Sequence, residues 1–157
     1  MSLRSIPRLI LRGGATALHK LLVAGWFFRR PRTFGAHAAA LTRDGRLILV
    51  KLWYAPSWRL PGGGRAADEP AAAAALRELQ EEIGMTSHGA VEAAGHFEER
   101  TDHKRDLSSL VIVRDVEFRP RRWNWEVEEV KAFAVDDLPR DLSPQAQRWL
   151  RTVAPRL

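Results

Sequence analysis

Ala72, Leu76, Leu79 and Ile83 recur at the spacing of one face of an α-helix, while Glu78, Glu81 and Glu82 recur on another. At about 3.6 residues per turn, Glu82 lies about 40° to one side of Glu78 and Glu81 about 60° to the other. The three carboxylates therefore share one narrow face. The apolar stripe lies roughly 100–160° round from it and is the face to bury against a sheet. The pattern predicts a helix over Ala71–Ile83, with Pro70 at the first helical position, Asp68 or Glu69 as its cap, and Gly84 as its left-handed stop.

Elsewhere the periods are those of strands. Phe34–Thr42 and Arg46–Trp53 read as two strands joined by a hairpin turn at Asp44-Gly45. A loop over 54–68 leads into the acidic helix. Ala90–Glu99 and Leu107–Phe118 read as a second hairpin linked by the charged run 100–106, and Val127–Val135 as a further strand. Ser143 caps and Pro144 opens a last helix that runs to about Thr152. Strands and helices interleave without a strict βαβ rhythm, which gives a mixed α/β (α+β) fold.

The acidic face carries the chemistry. Carboxylates at i, i+3 and i+4 repel one another, and only Arg77, one residue round, stands near to offset them. A solvated acidic face is the plain alternative. A hard divalent cation is the occupant that such a cluster calls for, and hydrated Mg²⁺ prefers a few carboxylates together with phosphate oxygens. Three adjacent glycines, Gly62 to Gly64, let the loop before the helix come close to such an ion and to phosphates.

The spacing goes beyond residue types. Gly63, Glu69, Arg77, Glu78, Glu81, Glu82 and Gly84, with aliphatic Leu79 and Met85, follow the pattern G-x5-E-x7-R-E-U-x-E-E-x-G-U. This run resembles the signature of the Nudix hydrolases, and a chance match has odds on the order of 10⁻⁹ per start site. Trp58-Arg59-Leu60-Pro61-Gly62-Gly63-Gly64 is similar to the segment that precedes the family's box. Asp136-Asp137-Leu138-Pro139 is similar to the one that closes its domain. The resemblance covers about residues 33–150 and implies an α/β/α sandwich around a mixed sheet.

It also implies a set of roles. Glu78, Glu81 and Glu82 would hold Mg²⁺, or Mn²⁺ in its place, with the carbonyl of Gly62 as a further ligand. Glu69 and Arg77 would hold loop and helix together. The general base differs within the family, so Glu78 and a carboxylate from a distant loop are both candidates. The distant ones here are Glu126, Glu128 and Glu129, with Glu126 the best placed. Arg59, Lys51 and the 100–105 loop are candidates for the substrate phosphates. Trp58 is a candidate for the base, as are Trp53, Tyr54, Phe97, Trp123 and Trp125, although an aromatic at a strand end more often packs in a core or rim. The downstream marks of the family's ADP-ribose, dinucleoside polyphosphate, coenzyme A and NADH subgroups are missing.

Composition adds limits. The 157 residues suit one globular unit, and the absence of cysteine excludes disulfides, thiolate zinc sites and thiol nucleophiles. The net charge of +6 is unevenly placed: residues 1–32 hold seven basic groups and no acidic one. They read as a basic, partly amphipathic helical arm ahead of a catalytic domain over 33–157. The arm fits packing on the domain, a homodimer contact, or peripheral attachment of residues 1–30 to an anionic membrane, with nucleic acid ranked below these. A membrane span and a secretory signal fit poorly, which places the protein in the cytoplasm. The expected activity is Mg²⁺-dependent cleavage of a phosphoanhydride in a nucleoside diphosphate linked to another moiety. Its products would be a nucleoside monophosphate and a phosphorylated product or pyrophosphate. A nucleotide-binding regulatory module, or a hydrolase targeted to membrane or RNA by the arm, are the alternatives.

Overall fold

The computed structural model describes residues 32–101, 104–121 and 124–157. The basic arm, with its expected helical form and its dimer and membrane contacts, lies outside the described residues, as does Trp123. In chain order the elements are β1 (Arg32–Ala40), β2 (Leu47–Leu52), β3 (Ala55–Arg59), β4 (Gly62–Gly64), α1 (Ala71–Ile83), β5 (Met85–Ser87) and β6 (Val91–Thr101). There follow β7 (Lys104–Val113), β8 (Glu117–Phe118), β9 (Val127–Phe133), α2 (Pro144–Val153) and a 3-10 turn at Ala154–Arg156.

One four-stranded sheet has the order β4-β1-β7-β6 and a three-stranded sheet the order β3-β2-β9. β1 runs parallel to β7 and antiparallel to β4, so the larger sheet is mixed. Alternation along β1 and β2 sorts their side chains to two faces. Ala36, Ala38, Ala40, Ile48 and Val50 pack with Leu79 and Ile83 of α1. Ala39, Leu41, Leu47 and Leu49 pack with Trp149, Leu150 and Val153 of α2. The sheets are thus held between two helices, as the α/β/α expectation required.

The helix over 71–83 forms as its pattern predicts, with Leu79 and Ile83 fully buried, each contributing about 1.5–3 kcal/mol by burial. Gly84 ends it in the left-handed region at φ 68°, its N–H donating to the Leu79 carbonyl. The start differs from expectation: Pro70 occupies the cap position, and neither Asp68 nor Glu69 caps the helix with its side chain. Ser143 caps α2 as expected, its Oγ accepting from Ala146 N at 3.2 Å. Among the described residues, no helix is long and apolar enough to cross a membrane.

Two strand readings are corrected. The Asp44-Gly45 turn closes, with Thr42 N donating to Arg46 O at 2.9 Å, but β1 and β2 share only the Leu41–Leu47 bridge and then part. The physical reason is that β1 is already paired on both edges, leaving β2 to pair with β3 and β9. The loop over 54–68 in turn contains β3 and β4. A Gly-Gly-Gly strand has no side-chain pattern to read, and its order comes from the edge of β1, where His37 faces Gly62.

Candidate active site

The acidic face of α1 turns toward β4 and the segment that enters β9. Glu78, Glu81 and Glu82 line a cavity of about 260 Å³ together with Arg121, Asn124, Trp125 and Glu126. Glu82 is the deepest, only 7% exposed, and its Oε2 accepts a hydrogen bond from Gly62 N at 2.8 Å. Burial pushes its carboxyl up to about 8; the Gly62 amide and Arg59 oppose this, while the charges of Glu78 and Glu126 add to it. Burial raises Glu78 as well, against the pull of Arg77.

Glycine is required where β4 begins. Gly62 has φ 148°, and a Cβ there would lie within 2.6 Å of the His37 Cα. At Gly63 an added Cβ would meet the Glu78 carboxylate at 2.8 Å. The missing side chains are what let the strand lie against the acids.

Arg77 binds the loop to the helix. Its Nη1 donates to Glu78 Oε1 at 2.7 Å, its Nη2 to Gly64 O at 3.0 Å and its Nε to Glu69 Oε1 at 3.4 Å. It also stands 3.7 Å from Glu81 Oε2. The acids are therefore less isolated than the helical wheel implies, because a guanidinium one residue round is long enough to reach back across the face.

Of the three distant carboxylates, the structure brings Glu126 to the cavity; Glu129 lies along β9 opposite Lys51. Tyr54 Oη donates to Glu126 Oε1 at 3.0 Å. Partial burial, then that neighbouring carboxylate, pushes the phenol above its ordinary range. Arg59 is on the same side: its charge acts on both Glu82 and Tyr54, and its buried Nε has no hydrogen-bond partner.

Lys51 and Trp58 are not brought to this cavity. Alternation turns Trp58 to the α2 side, where it is 5% exposed and packs edge-on against Phe133 at 4.9 Å. Lys51 Nζ pairs with Asp141 at 3.0 Å and sits over the Trp58 ring. Phe97 stacks on Trp149. Sequence reasoning missed Asn124, whose Oδ1 accepts from Glu126 N at 2.9 Å and Val127 N at 3.1 Å. Its signal was an Asn just before a strand, the usual place for such a turn.

Among the described residues, no group of three or more His, Cys, Asp or Glu side chains is gathered tightly enough to hold an ion unaided. Glu78 is drawn to Arg77 and Glu82 to the Gly62 amide. The donor set is nonetheless all oxygen, with one carboxyl buried and penalised for its charge. That fits a hydrated hard cation, which needs one or two carboxylates and completes its shell with water and phosphate oxygens.

The NUDIX domain family profile matches residues 31–156. The chain is a Nudix hydrolase. This Nudix hydrolase is 43% identical over 121 residues to an RNA pyrophosphohydrolase of Acidiphilium cryptum (strain JF-5), a match covering 71% of this chain and 70% of that one. It resembles the crystal structure of MutT NUDIX hydrolase from Burkholderia pseudomallei with a TM-score of 0.67 and 27% identity, over 78% of this chain and 98% of that one. A bifunctional NMN adenylyltransferase/ADP ribose pyrophosphatase from Francisella tularensis, complexed with AMP and a Mn ion, shares the fold at a TM-score of 0.67 and 16% identity, over 90% of this chain and 47% of that one. This Nudix hydrolase is thus an enzyme of the pyrophosphohydrolase type, in a family that depends on divalent metal.

Proposed function

We propose that this Nudix hydrolase cleaves a phosphoanhydride bond in a nucleoside diphosphate linked to another moiety, with Mg²⁺ as the metal. The observation that carries the reading is the arrangement of Glu78, Glu81, Glu82 and Glu126 around one cavity beside the Gly62 backbone. The similarity to an RNA pyrophosphohydrolase adds the 5′ end of RNA to the substrates to try first.

In this reading Glu78, Glu81, Glu82 and the Gly62 carbonyl hold the ion. When bound, Mg²⁺ supplies charge that offsets the phosphate oxygens. Glu126 accepts the proton of the attacking water, from a carboxylate held by the Tyr54 hydroxyl. The water oxygen bonds to phosphorus, the anhydride P–O bond breaks, and the departing phosphate keeps the electron pair. Arg59, whose buried Nε has no hydrogen-bond partner, and Arg121 at the cavity wall would meet the phosphates. Glu69 and Arg77 keep the Gly62–Gly64 strand against α1.

The test is a substrate panel with Mg²⁺: nucleoside triphosphates, nucleotide sugars, dinucleoside polyphosphates, ADP-ribose and RNA with a 5′-triphosphate. At least one should turn over, and Glu82→Gln should lower its kcat by about 10²–10³. No turnover across the panel, with nucleotide binding intact, would instead make the protein a binding module.

A further inference from the structure

The acid cavity has a rim as well as a floor. Among the described residues two large hydrophobic side chains are exposed, Tyr54 at 48% and Trp125 at 70%. Both adjoin Glu126, one through its hydroxyl and one along the cavity wall. Single exposed hydrophobics are ordinary on protein surfaces, so exposure alone decides nothing. The backbone that carries this indole does.

That backbone is pinned from two sides. Asn124 Nδ2 donates to Glu81 O at the end of α1 at 3.1 Å, and Asn124 Oδ1 accepts from Glu126 N and Val127 N. From the other side, Trp53 Nε1 donates to Asn124 O at 2.9 Å and Trp53 N to Glu126 O at 3.0 Å. The residues before and after Trp125 are fixed while its own ring is turned outward. An aromatic ring on an already ordered backbone loses little further freedom when a partner stacks on it.

The cavity's size completes the argument. Its volume of about 260 Å³ lies below the roughly 300–1,000 Å³ of sites that enclose a drug-sized ligand. It has room for phosphates and an ion, and leaves the rest of a nucleotide at the mouth. Trp125 lines this cavity and is at the same time the most exposed large hydrophobic among the described residues.

We infer that Trp125 is where the substrate's nucleobase stacks, and that Asn124 is the positioning residue that holds it there. This rests on the phosphoanhydride reading above and adds to it the place on this chain that receives the nucleotide's base. Stacking tolerates every base, so Trp125 selects base-bearing over base-free phosphates without choosing among the bases.

The test compares the full-length wild type, Trp125→Ala and Trp125→Phe on two probes. One is the base-bearing panel substrate that turns over fastest, the other inorganic tripolyphosphate. The readout is the ratio of kcat/KM between the probes. Stacking contributes about 1–3 kcal/mol per base, so Trp125→Ala should lower the ratio about 5- to 150-fold, through KM rather than kcat. Trp125→Phe should recover most of it, and Asn124→Ala should reproduce the fall in the ratio in weaker form, on top of a kcat loss shared by both probes because the same turn places Glu126. An unchanged ratio, or an equal loss on both probes, overturns the inference. If the wild type turns over nothing, the hydrolase reading fails, and equilibrium binding of ATP judges Trp125 by itself. Weaker binding by Trp125→Ala supports its role, and equal binding overturns it.

Discussion

The Gly62 amide donates to Glu82 Oε2 at 2.8 Å, joining the first residue of β4 to a carboxyl twenty positions later on α1. It is the hydrogen bond that opposes the burial cost of that carboxyl. The contact makes loop and helix a single piece, so substitutions at either end should be felt at the other.

Gly62→Ala tests the loop end. The new Cβ meets the β1 backbone at a φ that L-residues rarely adopt. Such strain costs about 1–3 kcal/mol, and the shift of β4 should withdraw the amide from Glu82. Thermal unfolding should show the destabilisation, and activity should fall further than stability alone accounts for. A variant with wild-type Tm and wild-type turnover would contradict this.

Glu82→Gln tests the helix end, and here function and stability should move in opposite directions. Burial pushes the folded carboxyl up to about 8, above the ordinary glutamate value of 4.5. In metal-free protein its charged form is therefore a cost, absent below about pH 4.5, growing as pH rises and complete above about 8. The substitution should remove a destabilisation on the order of 2–4 kcal/mol at high pH while lowering kcat by about 10²–10³. Denaturant melts in EDTA between pH 5 and 9 give the check: the gap between variant and wild type should widen with pH, and Mg²⁺ should narrow it.

Arg77→Lys should not replace arginine. The guanidinium reaches Glu69, Glu78 and Gly64 O through separate nitrogens, a geometry that one ammonium cannot reproduce. Losing two of those bonds at a half-exposed site should cost about 1–2 kcal/mol and lower kcat/KM, by freeing Glu78 and the Gly64 strand. Equal Tm and kcat/KM for Lys and Arg would assign Arg77 no positioning role.

At the far edge, Glu92 pairs with Arg114 and Arg156 at 3.2 Å each. Those partners hold its carboxyl below the ordinary glutamate range. A depressed acid contributes stability above its unfolded value, and that contribution is lost as pH falls through the folded one. Glu92→Gln should therefore matter little in acid and most at neutral pH, a small difference visible in melts from pH 3 to 7. It should vanish at high salt, as expected of exposed charges.

The acidic helix was legible because three signals agreed on it: an apolar stripe, a carboxylate face and a terminal glycine. Glu126 could be ranked first of three distant carboxylates but not set against α1, since its approach depends on the turn that Asn124 makes before β9. Which face Trp58 and Arg59 present depends on strand pairing. Arg59 lies opposite Val50 and shares its α1 side, whereas Trp58 turns toward α2. β4 was invisible for a simpler reason: a strand of three glycines carries no alternation. The cap of that helix was misplaced, at Asp68 or Glu69, because Pro70 serves as the cap with no side-chain bond.

β1 has its own consequence. It pairs in parallel with β7, and Thr33 bonds Asp106 across 73 positions. Loop closure of that length must precede the larger sheet, which makes assembly slow relative to local helices. On the ribosome, the glutamate-rich helix is synthesised well before the strand that completes the sheet beneath it. A nascent chain halted just after Met85 would carry the whole signature and no enzyme.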